Sequence, residues 1–180
     1  MQKIFPEIHS YLRYFASTQI RQQATLAGNF VNASPIGDMT VFFLALDAKL
    51  LLCKNREKRE VLLKDFFHDY KKTDLKEGEY VQSINFPILE SNSFFNFEKV
   101  SKRTHLDIAS VNSAIHCKVE EGKISYVSVS AGGVAAIPLY LEKTSQFFFG
   151  KDLRFETIWE GQKVAQEELS SISDVRGSAK

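Results

Sequence analysis

Two cysteines, four histidines and one tryptophan are all that this 180-residue sequence carries of those types. Cys53 and Cys117 lie far apart, neither forms a CxxC pair, and neither has a histidine at ligand spacing. That excludes a zinc or iron-sulfur site built by this chain alone. Both cysteines stand among apolar neighbours, which suits small buried hydrophobes in a reducing compartment, and the expected location is the cytoplasm. His9, His68, His105 and His116 stand apart, with no HxH or HExxH arrangement, and read as packing or surface histidines.

Charge of one sign is also missing. Lys and Arg number 23 against 22 Asp and Glu, a formal net charge of +1. A nucleic-acid or anionic-lipid footprint gathers Lys and Arg on one face, so neither partner is expected. No apolar run approaches the roughly 18 residues that a membrane-spanning helix needs. The opening Met1-Gln2-Lys3-Ile4-Phe5-Pro6 lacks the apolar core of a signal peptide. GxGxxG, GxxxxGK[ST] and GxSxG are all absent, and the Ser, His and Asp residues are too scattered to nominate a triad. No catalytic side chain and no metal ligand is assigned.

What is present is a pattern of paired strands and paired helices. Ile8, Leu12 and Phe15 at i, i+4, i+7 predict an amphipathic helix over Pro6 to Phe15. Thr25 to Asp38 reads as a turn-rich connection, with Asp38 capping a short apolar helix from Met39 to Leu46. Ala48 to Cys53 and Arg59 to Leu63 form a hairpin around the solvated tip Lys54 to Lys58, and Tyr80 to Phe86 alternates like a strand. Strands follow at Phe94 to Ser101, within Ile108 to Val119, and at Ile124 to Ala131, the last two joined by Glu120 to Lys123. Gly132-Gly133 ends the last of these, Pro138 opens a helix, and Ile158 to Leu169 forms another. The class implied is α+β: antiparallel sheets with helices packed on one face, in two small subdomains, 1–90 and 91–180.

Only Thr25 to Asp38 carries chemistry above background. Gly28 removes a side chain where a ligand could approach the backbone, and Asn29, Asn32, Ser34 and Asp38 offer short polar groups for ring edges or hydroxyls. The same residue types also build ordinary capped loops, so composition leaves both readings open. The Phe147-Phe148-Phe149-Gly150 run reads as packing for the second subdomain, or as a partner surface where exposed.

Taken together, several ordered blocks resemble a known family. Phe15-Ala16-Ser17-Thr18-Gln19-Ile20-Arg21 leads into Ala24 to Asn29 and Ala33-Ser34-Pro35-Ile36-Gly37-Asp38. Phe67 to Asp74 is similar to an FxxYRKT stretch, and Lys99-Val100-Ser101-Lys102-Arg103 with Asp107-Ile108-Ala109 to a KVSKR...DIA signature. Gly132 to Ala136 is similar to a GGMA turn, and Asp174-Val175-Arg176-Gly177-Ser178 to a DVRGS segment. These blocks resemble the flavin-binding subunit of xanthine dehydrogenases and related molybdenum hydroxylases.

The resemblance implies an FAD-dependent oxidoreductase working as part of a complex. In it, electrons pass from a molybdenum site through iron-sulfur clusters to FAD and then to NAD. Molybdopterin and iron-sulfur clusters would belong to partner subunits or domains. Thr25, Leu26, Ala27, Gly28 and Asn29 would lie as a loop against FAD, with Val31 and Ser34 nearby and Asp38 on its polar part. Phe15 would pack on an aromatic ring, Val81 would border the isoalloxazine and Lys99 would supply a cation. Residues 1–90 would be the later part of the FAD domain, without the N-terminal subdomain that holds the pyrophosphate, so the isolated chain is expected to bind FAD weakly or not at all. Residues 91–180 would be the C-terminal domain that follows. Alternatives of other kinds are a non-catalytic assembly domain of such a complex, or the flavoprotein of a carbon monoxide dehydrogenase or aromatic acyl-CoA reductase.

Overall fold

The computed structural model describes Phe5 and residues 8–170. The DVRGS block lies outside the described residues, as does Pro6. At the centre is α4 (Asp38–Leu44), all seven residues of which are buried. Apart from Asp38 and Thr40 the helix is apolar, so it must be enclosed, and aromatic rings do most of the enclosing. Phe42 meets Phe95 at a centroid distance of 4.6 Å and Phe5 at 5.6 Å, while Phe43 meets Phe86 at 5.2 Å.

Three short helices precede it: α1 (Ile8–Leu12), α2 (Thr18–Gln23) and α3 (Leu26–Val31). The first is shorter than the 3.6-residue period suggested, because the chain turns at Ala16, whose φ is +49°. The stretch from Thr25, expected as a loop, is half helix. Thr25 occupies the cap position and its Oγ1 accepts from Gly28 N at 2.9 Å, while Phe30 is fully buried. A good cap and one core anchor outweigh the turn propensities of Gly28 and Asn29.

After α4, β1 (Lys49–Lys54) and β2 (Glu57–Leu62) form the expected hairpin through a two-residue turn. Next come β3 (Phe67–Asp69), β4 (Lys72–Thr73) and β5 (Tyr80–Asn85). The strand order β2-β1-β5 makes one antiparallel sheet, and β3-β4 a separate ribbon. The charged hairpin is partly neutralised: Arg59 bonds both carboxylate oxygens of Glu79 at 2.7 Å and also pairs with Asp74.

The second sheet runs β6-β7-β8-β9, antiparallel throughout, from β6 (Ser93–Val100), β7 (Val111–Glu120), β8 (Lys123–Gly132) and β9 (Leu139–Tyr140). Glu121 and Gly122, both at positive φ, make the tight β7-β8 turn. Pro138 does not open a helix. Leu139 and Tyr140 instead pair with Ala131 and Ser130 as an edge strand, and α5 (Glu142–Phe148) starts after them. Alternation puts Ser130 against α4, its Oγ donating to Val41 O at 2.7 Å, and turns Val129 and Ala131 toward α5 and α6 (Phe155–Glu168). Phe148 fits against Gly161 of α6, where an added Cβ would lie 2.1 Å from its ring.

No helix among the described residues is long and apolar enough to cross a membrane. Nor does any group of three or more His, Cys, Asp or Glu side chains among them converge as a metal site. Cys53 is buried and Cys117 half-buried, and burial pushes the Cys117 thiol up.

Candidate functional site

The cleft that gathers the polar residues of the sequence signature lies where α2, α3 and the start of α4 meet β6 and the segment after it. Its volume is about 490 Å³. Phe15, Asn29, Ser34, Asp38 and Lys99 line it, together with Ile36 and the later segment 106–109. Thr25, Leu26, Ala27, Gly28 and Val31 build the helix behind this wall, with Leu26 packed on the core and Val31 on the surface. Val81, in β5 opposite Leu52, also packs against the core cluster.

Each wall residue is fixed by a local device. Arg21, one turn into α2, donates from Nη1 to the carbonyls of Phe15 and Ala16, both at 2.6 Å, which braces the left-handed turn that presents Phe15. Ser17 caps the same helix by accepting from Ile20 N. Asn29 Oδ1 accepts from Thr40 Oγ1 at 3.1 Å, so the acceptor end of that amide is spent inside the protein and its N–H end remains for a ligand. Lys71, in the turn of the β3-β4 ribbon, donates to the main chain and side chain of Asn32 and ties the ribbon to the end of α3.

Asp38 does not cap α4. Gly37 holds the cap position without a side-chain bond, and Asp38 is the first helical residue. Its carboxylate faces across to the second sheet. Oδ2 lies 2.7 Å from Lys99 Nζ of β6, in a pair whose side chains are 11% and 6% exposed, and Oδ1 accepts from Asn112 Nδ2 of β7 at 2.6 Å. Lys99 also donates to Tyr14 O at 2.8 Å, and Asn112 to Ile36 O at 3.2 Å. A negative group in the first turn of a helix is itself favourable. Each member of the ion pair thus has at least one further hydrogen-bond partner, which a buried pair requires.

The rim mixes exposed apolar side chains, Ile20, Leu106 and Ile108, with charged ones. Arg103 pairs with Asp107 and holds its carboxyl below the usual range. Tyr14 stacks on His105 at 5.9 Å. Sequence reasoning named Asp38 and Lys99 but missed Arg21, Thr40 and Asn112. A usable signal existed for the last: Asn112 shares the alternation of Ala114 and His116, all buried, whereas the apolar Val111 and Ile115 of the other row are exposed. A lone Asn on the buried face of a strand must have partners.

Comparison with known proteins gives the family of the chain. Residues 1–89 match the family described as the FAD binding domain in molybdopterin dehydrogenase, and residues 96–180 the CO dehydrogenase flavoprotein C-terminal domain. Xanthine dehydrogenase 1 of Arabidopsis thaliana is 32% identical over 92% of this chain, and xanthine dehydrogenase of Oryza sativa 34% over 93%. The chain spans 13% of the length of each. Among solved structures, CO dehydrogenase from Oligotropha carboxidovorans superposes with a TM-score of 0.89 at 26% identity, covering 97% of this chain and 61% of that one. Quinoline 2-oxidoreductase from Pseudomonas putida superposes at 0.82 and 25%, covering 98% and 61%. The two family matches, the relatives and the α+β architecture place this chain in the flavin-binding family of the molybdenum hydroxylases.

Proposed function

We propose that this chain supplies one wall of the FAD site of a xanthine-dehydrogenase-type molybdenum hydroxylase, which delivers electrons from iron-sulfur clusters on partner subunits or domains to NAD. The observation that carries the reading is the convergence of Phe15, Asn29, Asp38 and Lys99 on a single cleft. Bound FAD supplies a planar, two-electron acceptor. The residues fit part of such a group. Phe15 offers an aromatic face, Asn29 an amide donor, Asp38 an acceptor for hydroxyls and Lys99 a fixed cation near developing negative charge. Gly28 leaves room for the Thr25 cap, since a Cβ there would sit 3.0 Å from Thr25 Oγ1. A cleft of about 490 Å³ open on one side suits a portion of the dinucleotide, and the remaining contacts fall to other polypeptide. Residues 1–90 and 91–180 act as the two units that meet at this cleft.

The test is co-purification with the products of neighbouring genes, followed by a flavin absorbance spectrum. Stoichiometric FAD in a complex containing molybdenum and iron is expected, with the separated chain holding little. A complex that contains this chain but takes up no flavin at saturating FAD contradicts the reading. A second reading keeps the same flavin wall and changes the oxidised substrate. It is favoured by the close superposition on CO dehydrogenase and quinoline 2-oxidoreductase, and substrate turnover by the purified complex separates the two.

A further inference from the structure

Asn112 comes from the second sheet, does not line the cleft, and is 1% exposed. Its side chain nonetheless spans the junction between the two halves of the chain. Nδ2 donates to Asp38 Oδ1 at 2.6 Å and to Ile36 O at 3.2 Å, while Oδ1 is buried with no hydrogen-bond partner. An orphaned buried acceptor is costly, so the orientation is one the surroundings impose for the sake of the two donated bonds. The surroundings are built to allow it. Asn112 pairs across the sheet with Gly132, where a Cβ would lie 2.2 Å from Asn112 Oδ1 and 2.8 Å from Pro35 O. Gly133, at φ +80°, donates its N–H to Pro35 O at 3.0 Å, and a Cβ there would lie 2.3 Å from Ser110 O. The double glycine therefore lets the end of β8 press against the loop that leads into Asp38.

We infer that Asn112 is a positioning residue for the ligand site: it holds one carboxylate oxygen of Asp38, while Lys99 holds the other, so that the lone pairs left over face the cleft and accept from hydroxyl or N–H groups of the ligand. Each carboxylate oxygen has two acceptor positions, and each here has one protein donor. The amide sets the plane of the carboxylate and the ammonium sets its charge. Without Asn112 the carboxylate rotates about its last torsion, which is soft, and Lys99 loses the geometry of its buried pair. This inference rests on the flavin reading for the identity of the ligand, but the positioning itself is measurable with no ligand present.

Two measurements on Asn112→Ala and the milder Asn112→Thr test it, with His116→Leu as control. His116 lies on the same face of β7, is similarly buried, and has no bond to Asp38. In the full chain without flavin, exchange of the Lys99 ammonium protons, followed by nitrogen-15 NMR, is expected to accelerate at least tenfold in Asn112→Ala. Asn112→Thr, which retains a hydroxyl donor, is expected to lie between, and His116→Leu to leave exchange within about twofold of wild type. In the flavin-containing complex, fluorescence titration is expected to give about a tenfold weaker FAD affinity for Asn112→Ala and less than twofold change for the control. Unchanged Lys99 protection in Asn112→Ala, or equal effects of the alanine variant and the control, overturns the inference. Faster Lys99 exchange in a complex that never binds FAD upholds the positioning role and refutes the flavin reading instead.

Discussion

Replacing Asp38 by alanine strips a nearly buried ammonium of its paired carboxylate. Lys99 Nζ would keep Tyr14 O as acceptor, and Asn112 would keep Ile36 O, but among the described residues the charge would be left without a paired counterion. Breaking one side of a buried pair costs about 3–5 kcal/mol, because the remaining charge must be dehydrated without compensation. Domains of this size hold about 5–15 kcal/mol in total, so the loss is a large share of the whole. At roughly 2–4 °C per kcal/mol for 150–250 residues, the expected fall in Tm is about 6–20 °C. Urea titrations followed by circular dichroism give the same quantity as a shift in midpoint at constant slope. The paired variant Asp38→Leu with Lys99→Met removes both charges, keeps the branching of one side chain and the length of the other, and is expected to recover most of the loss. The reasoning is refuted by an Asp38→Ala variant that loses less than about 1 kcal/mol, as exposed pairs do. It is equally refuted by a double variant as unstable as the single one.

Three further outcomes follow from contacts elsewhere. Gly161→Leu drives a side chain into the ring of Phe148, 2.1 Å from the added Cβ, and is expected to cost about 1–3 kcal/mol or more by forcing α5 from α6, read as a lowered urea midpoint. Burial and the nearby Lys118 push His116 from 6.5 down to about 4. The folded state therefore binds fewer protons between those values, and stability is complete above about 6.5 and falls by of order 3 kcal/mol as pH drops toward 4. His116→Leu should flatten that slope in denaturation curves. Its surroundings carry Glu90, Lys118 and the Tyr126 hydroxyl that bonds Asp47. Arg59 holds Glu79 down to about 2, so this carboxylate supports the fold above its unfolded value near 4.5 and stops doing so as pH falls through 2. Arg59→Met should return the Glu79 titration, followed by carbon-13 NMR, toward its ordinary range.

The sequence patterns made the strands easy to read and the site-bearing helices hard. The two hairpins have alternation of period two bounded by charged turns, and their registers follow, down to Glu120 facing Lys123. The segment from Thr25 to Asp38 contains residues that break helices on average, and a six-residue helix forms there because Thr25 caps it and Phe30 anchors it in the core. Pro138 shows the opposite failure: a residue common at helix starts precedes an edge strand because Ser130 and Ala131 had unpaired backbone to offer. Asp38 and Lys99 were legible through ordered motifs, although 61 residues separate them and no local rule joins them. Asn112 was hidden for a related reason. Attention went to the more apolar row of β7, whereas the buried row is the one containing Asn112, Ala114 and His116. Which row of an evenly apolar strand faces inward is decided by what covers it, here α4.

The claim at the centre of this account is that the cleft between α3, the start of α4 and β6 receives FAD. Its most direct test is a structure of the protein, assembled with its partner polypeptides, at saturating FAD. The account expects flavin density bordered by Phe15, Asn29, Asp38 and Lys99, with the Asp38–Lys99–Asn112 contacts retained. Flavin bound away from these four side chains, or a cleft still empty at saturation, would contradict it.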